Sequence, residues 1–307
     1  MKFTIAARAY NPKSNGAIAL HKLADAINRL GHQACVLFFL GHGKETTWHH
    51  SVNPNHFHKN YIYYNQFKNP QEIQNFILDS VVIYPEIITG NPLKSPKVVR
   101  YFLNREGFIK KGVPINPGVN DFFLSWSYLY HENPNHILRF DEQFISADDK
   151  FLPISSRQID CSYIGKGAKY GTCTPTPNTV EITRTWPENK SDYEDLLKKT
   201  RFLYTWDSAT AVIADAINFG ALPIIMQYTP FDEASINKEL ELYSQGHKLP
   251  NLSTHDIIDI KSLERDFEIF RNKYIEGVNN SASNITQNID DLISKISKHF
   301  SSLSQLI

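Results

Sequence analysis

The apolar rhythm of the chain changes twice within its first forty residues. "KFTIAA" is a nearly continuous apolar run and "YNPKSNG" is polar with Pro and Gly. In "AIALHKLADAINRLGH" the residues Leu20, Leu23, Ile27 and Leu30 share one helical face, and Gly31 stands where a helix ends. "ACVLFFL", residues 34–40, is again apolar throughout. The opening therefore predicts strand, helix, strand, the start of a parallel sheet with helices on its faces. "YIYYN" (61–65), "VVIYPE" (81–86) and "KVVRYFLN" (97–104) predict further strands, with a helix over 70–79.

Between 140 and 159 the pattern weakens into "DEQFISADDKFLPISSRQ", charged and without a clear period, which predicts a boundary. A second β/α set follows: strands over 159–165 and 179–184, a helix over 191–200, a strand over 202–206, a helix over 209–220 and a strand from 222. Two helices close the chain. In the last, Ile285, Ile289, Leu292, Ile293, Ile296, Phe300, Leu303 and Ile307 form an apolar stripe that predicts packing on the protein body. A membrane-surface or dimer helix is the alternative, but only Lys295 and Lys298 decorate its polar side, too few for a strong anionic-lipid anchor. The expected division is 1–150, 151–284 and a closing helix over 285–307.

Composition adds limits. The 307 residues, 41% apolar and 21% charged, suffice for about two domains. Lys+Arg 32 against Asp+Glu 32 leaves no overall field for nucleic acid or an anionic membrane, so no nucleic-acid partner is expected. Three cysteines, Cys35, Cys161 and Cys173, lack C-x-x-C spacing and predict free thiols in a reducing, cytoplasmic setting. The sequence shows neither a signal-like start nor an apolar stretch approaching the ~18 residues of a membrane span.

Open parallel sheets bind ligands at the carboxyl ends of their strands, so candidate residues should follow strands. "GKGAKYG", Gly165 to Gly171, departs from the dinucleotide fingerprint and opens no predicted helix; its small residues with Lys166 and Lys169 suit a phosphate-binding loop or a basic surface turn. "GHGK" at 41–44 is too short for a P-loop. His42, His49, His50, His56 and His58 lack the partners of a zinc pattern and predict an exposed loop, and no G-x-S-x-G elbow is present. In "FLYTWDSATAVIADAINFGALPII", Asp207 or Ser208 would cap the helix, while Asp215, between Ala214 and Ala216, needs a partner if buried. A helix start after a strand also offers N–H groups to an anion, Ser208 and Thr210 standing beside it.

The stretch "DSATAVIADAINFGALPI" resembles the paired-acid signature of glycosyltransferases of the GT-B fold, with Asp207 at the first acid, Asp215-Ala216 at the second, and Gly220 and Pro223 closing it. "YPEIITGNPL" and "VVRYFLNREG" are similar to sugar transferases of bacterial surface-polysaccharide (lipopolysaccharide or capsule) pathways. The chain departs from the pattern in having Asp at both acids, one extra residue between Gly220 and Pro223, and a basic pair, Lys166 and Lys169, closer together than the family's Arg and Lys. The resemblance implies an α/β fold of two Rossmann-like domains facing a cleft, with a C-terminal helix crossing back to the first. It implies a nucleotide-sugar donor on the second domain, with Asp207 at the sugar, Asp215 at the ribose, and Gly165, Lys166, Lys169, Arg184, Ser208 and Thr210 around the diphosphate. Trp186 or Tyr163 would stack on the base.

It further implies a glycan or lipid-linked acceptor near Asn15, Gly16 and Asn91 of the first domain, no cofactor beyond the donor, no metal, and peripheral association with the inner membrane. For an inverting reaction, Glu86, Glu106 and Asp121 are the candidate bases, Glu86 first. A nucleotide-sugar 2-epimerase-like enzyme and a non-catalytic sugar-nucleotide or glycan-binding module remain alternatives.

Overall fold

The computed structural model describes residues 1–12, 14–41, 46–51, 53–109, 114–142, 144, 152–228, 230–250 and 259–304. In chain order the elements are β1 (Lys2–Ala7), α1 (Asn15–Arg29), β2 (Gln33–Leu40), β3 (Thr47–His49), α2 (Pro70–Asp79), β4 (Val81–Pro85), β5 (Val98–Phe102), β6 (Phe122–Ser125) and β7 (His136–Ile137). There follow β8 (Ile159–Tyr163), β9 (Val180–Glu181), α3 (Lys190–Lys199), β10 (Thr200–Thr205), α4 (Ala211–Asn218), β11 (Leu222–Ile225), α5 (Glu233–Ser244), α6 (Ile260–Ser283) and α7 (Ile285–Ser304). The chain is α/β and divides into two units, one of Met1–Phe140 with Asn284–Ile307, the other Asp141–Ser283.

The first unit holds a seven-stranded sheet in the order β3-β2-β1-β4-β5-β6-β7, parallel except for the antiparallel edge strand β3. Its central strands are buried on both faces, Phe3, Ile5, Ile83 and Val99 on one and Ala6, Val82, Tyr84 and Val98 on the other. One face is covered by α1, through Leu20, Leu23 and Ile27, and by α7, through Ile289, Leu292, Ile293, Ile296 and Phe300. Asn288, Lys295 and His299 fasten that last helix through bonds to the Ile137 carbonyl, His136 Nδ1 and the Asn120 carbonyl. The closing stripe is thus core of the first unit and unavailable to a membrane; Ile307 lies outside the described residues. Among the described residues no helix is long and apolar enough to cross a membrane.

The second unit holds a wholly parallel sheet in the order β11-β10-β8-β9. Its helices start on side-chain caps: Asn189 for α3, Thr210 for α4 and Asp232 for α5. Neither Asp207 nor Ser208 caps α4, because the extended residue directly before Ala211 is Thr210, whose Oγ1 accepts the Val212 N–H.

Residues 61–65 form no strand. Their rings pack instead: Tyr61 lies 4.0 Å from His58, Tyr63 bonds His21 Nδ1 at 2.8 Å, and Tyr64 stacks on Phe76 at 5.2 Å. The strand expected over 179–184 is reduced to the exposed pair Val180 and Glu181. The three cysteines are free thiols.

Candidate functional site

In the second unit the chain leaves β8 for β9 on one side and later builds β10 on the other, so the carboxyl ends of β8 and β10 bound a topological switch point, the position where open α/β sheets accept ligands. The residues after both strands are packed tightly. After β8 the turn Gly165–Lys169 winds as a short 3-10 segment, with Gly165 at φ +53°. A Cβ on Gly165 would stand 2.7 Å from Asp207 Oδ2, and one on Gly167 would enter the Trp206 carbonyl, so both positions require glycine.

Asp207, 4% exposed, ties the two loops together. Its Oδ2 accepts the Lys166 N–H at 2.9 Å, and the Lys166 ammonium stands 3.7 Å from Oδ1 while donating to the Ala209 carbonyl at 2.8 Å. A sugar hydroxyl reaching this carboxylate would have to displace Lys166. Next to it Ser208, also 4% exposed, has an Oγ with no hydrogen-bond partner among the described residues. Such orphan hydroxyls are uncommon in native interiors and mark a place to look for a ligand. Thr210 then begins α4.

Asp215 stands in the second turn of α4, and its partner is Tyr193 of α3, whose hydroxyl donates to Oδ2 at 2.9 Å. Burial pushes the Asp215 carboxyl up to about 6, against the opposing pull of the Tyr193 bond. Burial and that neighbouring carboxylate push the Tyr193 phenol well above its ordinary range. At the far end of α4 two guanidinium groups take the last carbonyls: Arg271 those of Ile217 and Asn218, Arg157 that of Phe219. They complement the negative end of the helix.

The remaining donor-side candidates are looser. Lys169 stands exposed at the end of the 3-10 turn and Arg184 exposed in the turn after β9. Tyr163 is a buried ring against Gly165, whereas Trp186 is 44% exposed. Sequence reasoning missed Tyr193; the acid inside an apolar helix announced a partner, but nothing in the helix "SDYEDLLKKT" singled out its tyrosine.

In the first unit the switch point lies between β1 and β4. Asn15 and Gly16 open α1 there and Glu86 follows β4. Glu86 is 9% exposed, its Oε2 accepts the Leu103 N–H at 3.2 Å, and burial pushes its carboxyl up to about 7. Leu103 links the two segments, since its Cδ1 would touch a Cβ placed on Gly16 at 3.8 Å.

Asn91 uses both ends of its amide in its own loop, accepting from Tyr84 and Ser95 and donating to the Ser95 carbonyl. Glu106 accepts the Ile115 N–H at 2.7 Å. Asp121 precedes a strand rather than following one, and is paired at 2.7 Å with Arg100, a fully buried side chain of β5. Arg100 also donates to the carbonyls of Ile88 and Gly90 and lies over the Tyr84 ring, so the pair fixes the loop that follows Glu86.

His49, His50, His56 and His58 are half-buried in ring contacts rather than exposed; His56 bonds Ser51, and His42 lies outside the described residues. Among the described residues no group of three His, Cys, Asp or Glu side chains could hold a metal ion. A groove of about 520 Å³ in the first unit, bordered by Trp48, His49, Phe67 and Lys68, includes none of the predicted site residues.

No protein-family model matches the chain and no curated protein matches it. Among solved structures it is similar to an alpha-glucosyltransferase (AGT) in complex with UDP, at 12% identity and TM-score 0.42 over 96% of this chain and 100% of that one. It is similar to the glycosyltransferase VinC in complex with dTDP, at 11% identity and TM-score 0.39 over 97% and 99%. A third is MurG of Acinetobacter baumannii, at 9% identity and TM-score 0.33 over 95% and 99%. Likeness at this level carries no residue role across, and the reading of the site rests on the chain's own geometry.

Proposed function

We propose that the protein is a glycosyltransferase that binds a nucleotide-sugar donor on its second unit and transfers the sugar to a glycan or lipid-linked saccharide of a bacterial surface polysaccharide. The observation that carries the reading is the clasp of Lys166 by Asp207 beside the orphan hydroxyl of Ser208, at a switch point and at the start of α4. The paired-acid resemblance of residues 207–223 supports it.

In this reading the Lys166 ammonium, the Ser208 hydroxyl and the first N–H groups of α4 meet the diphosphate, whose negative charge grows as it leaves. These groups do the work for which some transferases use a divalent cation. Asp207 keeps Lys166 in place rather than touching the sugar, and Asp215 accepts from the ribose. Lys169 and Arg184 add positive charge at the rim. The bond between the sugar's anomeric carbon and the phosphate oxygen breaks with its electron pair going to the diphosphate. The acceptor oxygen forms the new bond to that carbon. The acceptor proton passes to Glu86, whose raised carboxyl is matched to proton transfer near neutral pH.

The test is donor turnover. Incubated with UDP-, GDP-, CMP- and dTDP-sugars, the wild type should release nucleotide slowly from one of them and faster when the right acceptor is added, and Lys166→Met should not. A donor converted to an isomer without release would favour an epimerase-like enzyme; tight binding without turnover, even with acceptor, would favour a binding module.

A further inference from the structure

The groove of the first unit takes no part in the donor reading, and its lining has a chemistry of its own. On the sheet face away from α1 and α7, α2 lies over β1, and beside it Leu37 of β2 and Trp48 of β3 border the open space. Its volume, about 520 Å³, falls within the roughly 300–1,000 Å³ of ligand pockets. The walls are fixed by packing of their own. The half-buried Trp48 ring packs on Phe39 at 5.8 Å and on Tyr84 at 6.0 Å. Phe67 meets Phe76 at 5.2 Å and His50 edge to face at 5.4 Å. Ile73 and Ile77 of α2 and Leu93 complete the apolar lining.

Polar groups stand among these apolar ones. The Lys68 ammonium, the Gln74 amide and the His50 ring nitrogens bond to nothing among the described residues. His49 also borders the groove, but successive strand residues alternate, and its ring packs on Phe38 and His56 instead. No acid is among the described residues that border the groove, and the nearby Glu72 carboxylate already accepts the Lys68 N–H and the Asn69 amide. Lys68 is thus the one fully charged side chain on that border, and it favours an anion.

We propose that this groove binds an acidic saccharide, a sugar ring bearing a carboxylate. Such a ring has an apolar C–H face and an edge of hydroxyls. The C–H face covers Trp48, the hydroxyls reach Gln74 and His50, and the carboxylate meets Lys68 in a charge-assisted bond. Lys68, Asn69, Pro70 and Gln74 are exposed, so the groove is open to water along the first turns of α2. An acyl chain lying there would keep apolar surface in water, whereas a sugar leaves hydroxyls outside. The inference goes beyond the donor reading, and no residue of the second unit takes part in it.

The experiment is ligand-observed NMR titration of wild type, Lys68→Met, Trp48→Ala and Gln74→Ala. The probes are trimers of glucuronic, galacturonic and mannuronic acid, the matching neutral trimers of glucose, galactose and mannose, and decanoate. One acidic trimer should bind wild type at least tenfold more tightly than its neutral counterpart. Lys68→Met should bring the acidic trimer down to the level of the neutral one, while affinity for the neutral trimer stays within about twofold of wild type. Trp48→Ala should weaken both at least tenfold. Should that variant fail to fold, Gln74→Ala, on the exposed rim, should still weaken both about threefold. No binding by any trimer, equal binding of acidic and neutral trimers, an acidic preference retained in Lys68→Met, or binding of decanoate alone each overturns the inference. All four outcomes leave the donor reading standing.

Discussion

The Lys166 amide donates to Asp207 Oδ2 at 2.9 Å while the ammonium of the same residue stands 3.7 Å from Oδ1. One lysine therefore answers both oxygens of a buried carboxylate, by its backbone and by its charge. The Asp207 side chain is 4% exposed and that of Lys166 22%, so solvent screens the pair little. Removing one partner of such a pair leaves an uncompensated charge in the interior. Lys166→Met should destabilise the protein by about 3 kcal/mol, and Asp207→Asn added to it should recover part of the loss. Urea unfolding of the two single variants and the double variant measures the coupling; additive losses would show the clasp to be weak.

Gly167 is closed by the corner after β10. A methyl group there would meet the Trp206 carbonyl and stand 2.6 Å from Trp206 Cβ, so Gly167→Ala must push the 3-10 turn away from Asp207. Nucleotide affinity should fall at least tenfold. Gly171→Ala, where a methyl group meets nothing within 4 Å, should leave affinity within about twofold. Titration of both variants with the preferred nucleotide checks this.

Glu86 makes stability depend on pH in a predictable direction. Its carboxyl is raised in the folded protein from 4.5 to about 7, so between those values the folded state holds a proton that the unfolded chain has released. Stability falls as pH rises through that window, and the full penalty, on the order of 3 kcal/mol, stands above pH 7. Glu86→Gln keeps an acceptor for the Leu103 N–H and removes the penalty. Its unfolding midpoint should exceed wild type at pH 8 and approach it at pH 5. If Glu86 is the base, turnover should also rise with pH through about 7 in wild type and be lost in Glu86→Gln.

Arg100 should be among the most sensitive positions of the first unit. Its guanidinium answers Asp121 and the carbonyls of Ile88 and Gly90 in a site closed to water. Arg100→Met leaves all three uncompensated and should cost about 3–5 kcal/mol. A loss below 1 kcal/mol in denaturant unfolding would mean that water enters the site.

The last helix answers a similar question for the core. Ile296 is fully buried between the sheet and α1, so Ile296→Ala should cost about 2–4 kcal/mol. Lys298→Ala, on the exposed side, should be nearly neutral. Equal effects would mean that the helix is detached in solution.

How far the sequence led depended on what each residue faced. The stripes Leu20–Leu23–Ile27 and Ile289–Leu292–Ile296 were legible because one apolar face against one sheet leaves a 3.6-residue period. The runs at β2, β4 and β10 were legible because strands buried on both faces read as unbroken apolar stretches. β7 and β9, two residues each, carry no period to read. α5 was missed because "EASINKELELYS" buries only Ile236, Leu240 and Ser244. "YIYYN" misled because strand-forming aromatic residues here serve as ring packing around His21, His58 and Phe76. At the site, Asp215's need of a partner was readable and Tyr193 was not, since their pairing spans 22 residues and depends on how α3 lies beside α4. Nothing in "VVRYF" singled out Arg100, because its counter-ion lies 21 residues later.

The central claim is that the second unit binds a nucleoside diphosphate through Lys166 and Ser208, and thermal unfolding with added nucleotides tests it most directly. Wild type and Lys166→Met would be melted with UDP, GDP, CDP, ADP, dTDP, CMP and NAD, in EDTA and then with a divalent cation. A nucleotide at 100 times its Kd adds about 2.7 kcal/mol of stability. The account predicts that one nucleoside diphosphate raises the wild-type midpoint in EDTA, and that this rise is lost in Lys166→Met relative to its own ligand-free midpoint. No rise with any diphosphate, a rise with NAD alone, or the same rise in both proteins would contradict it.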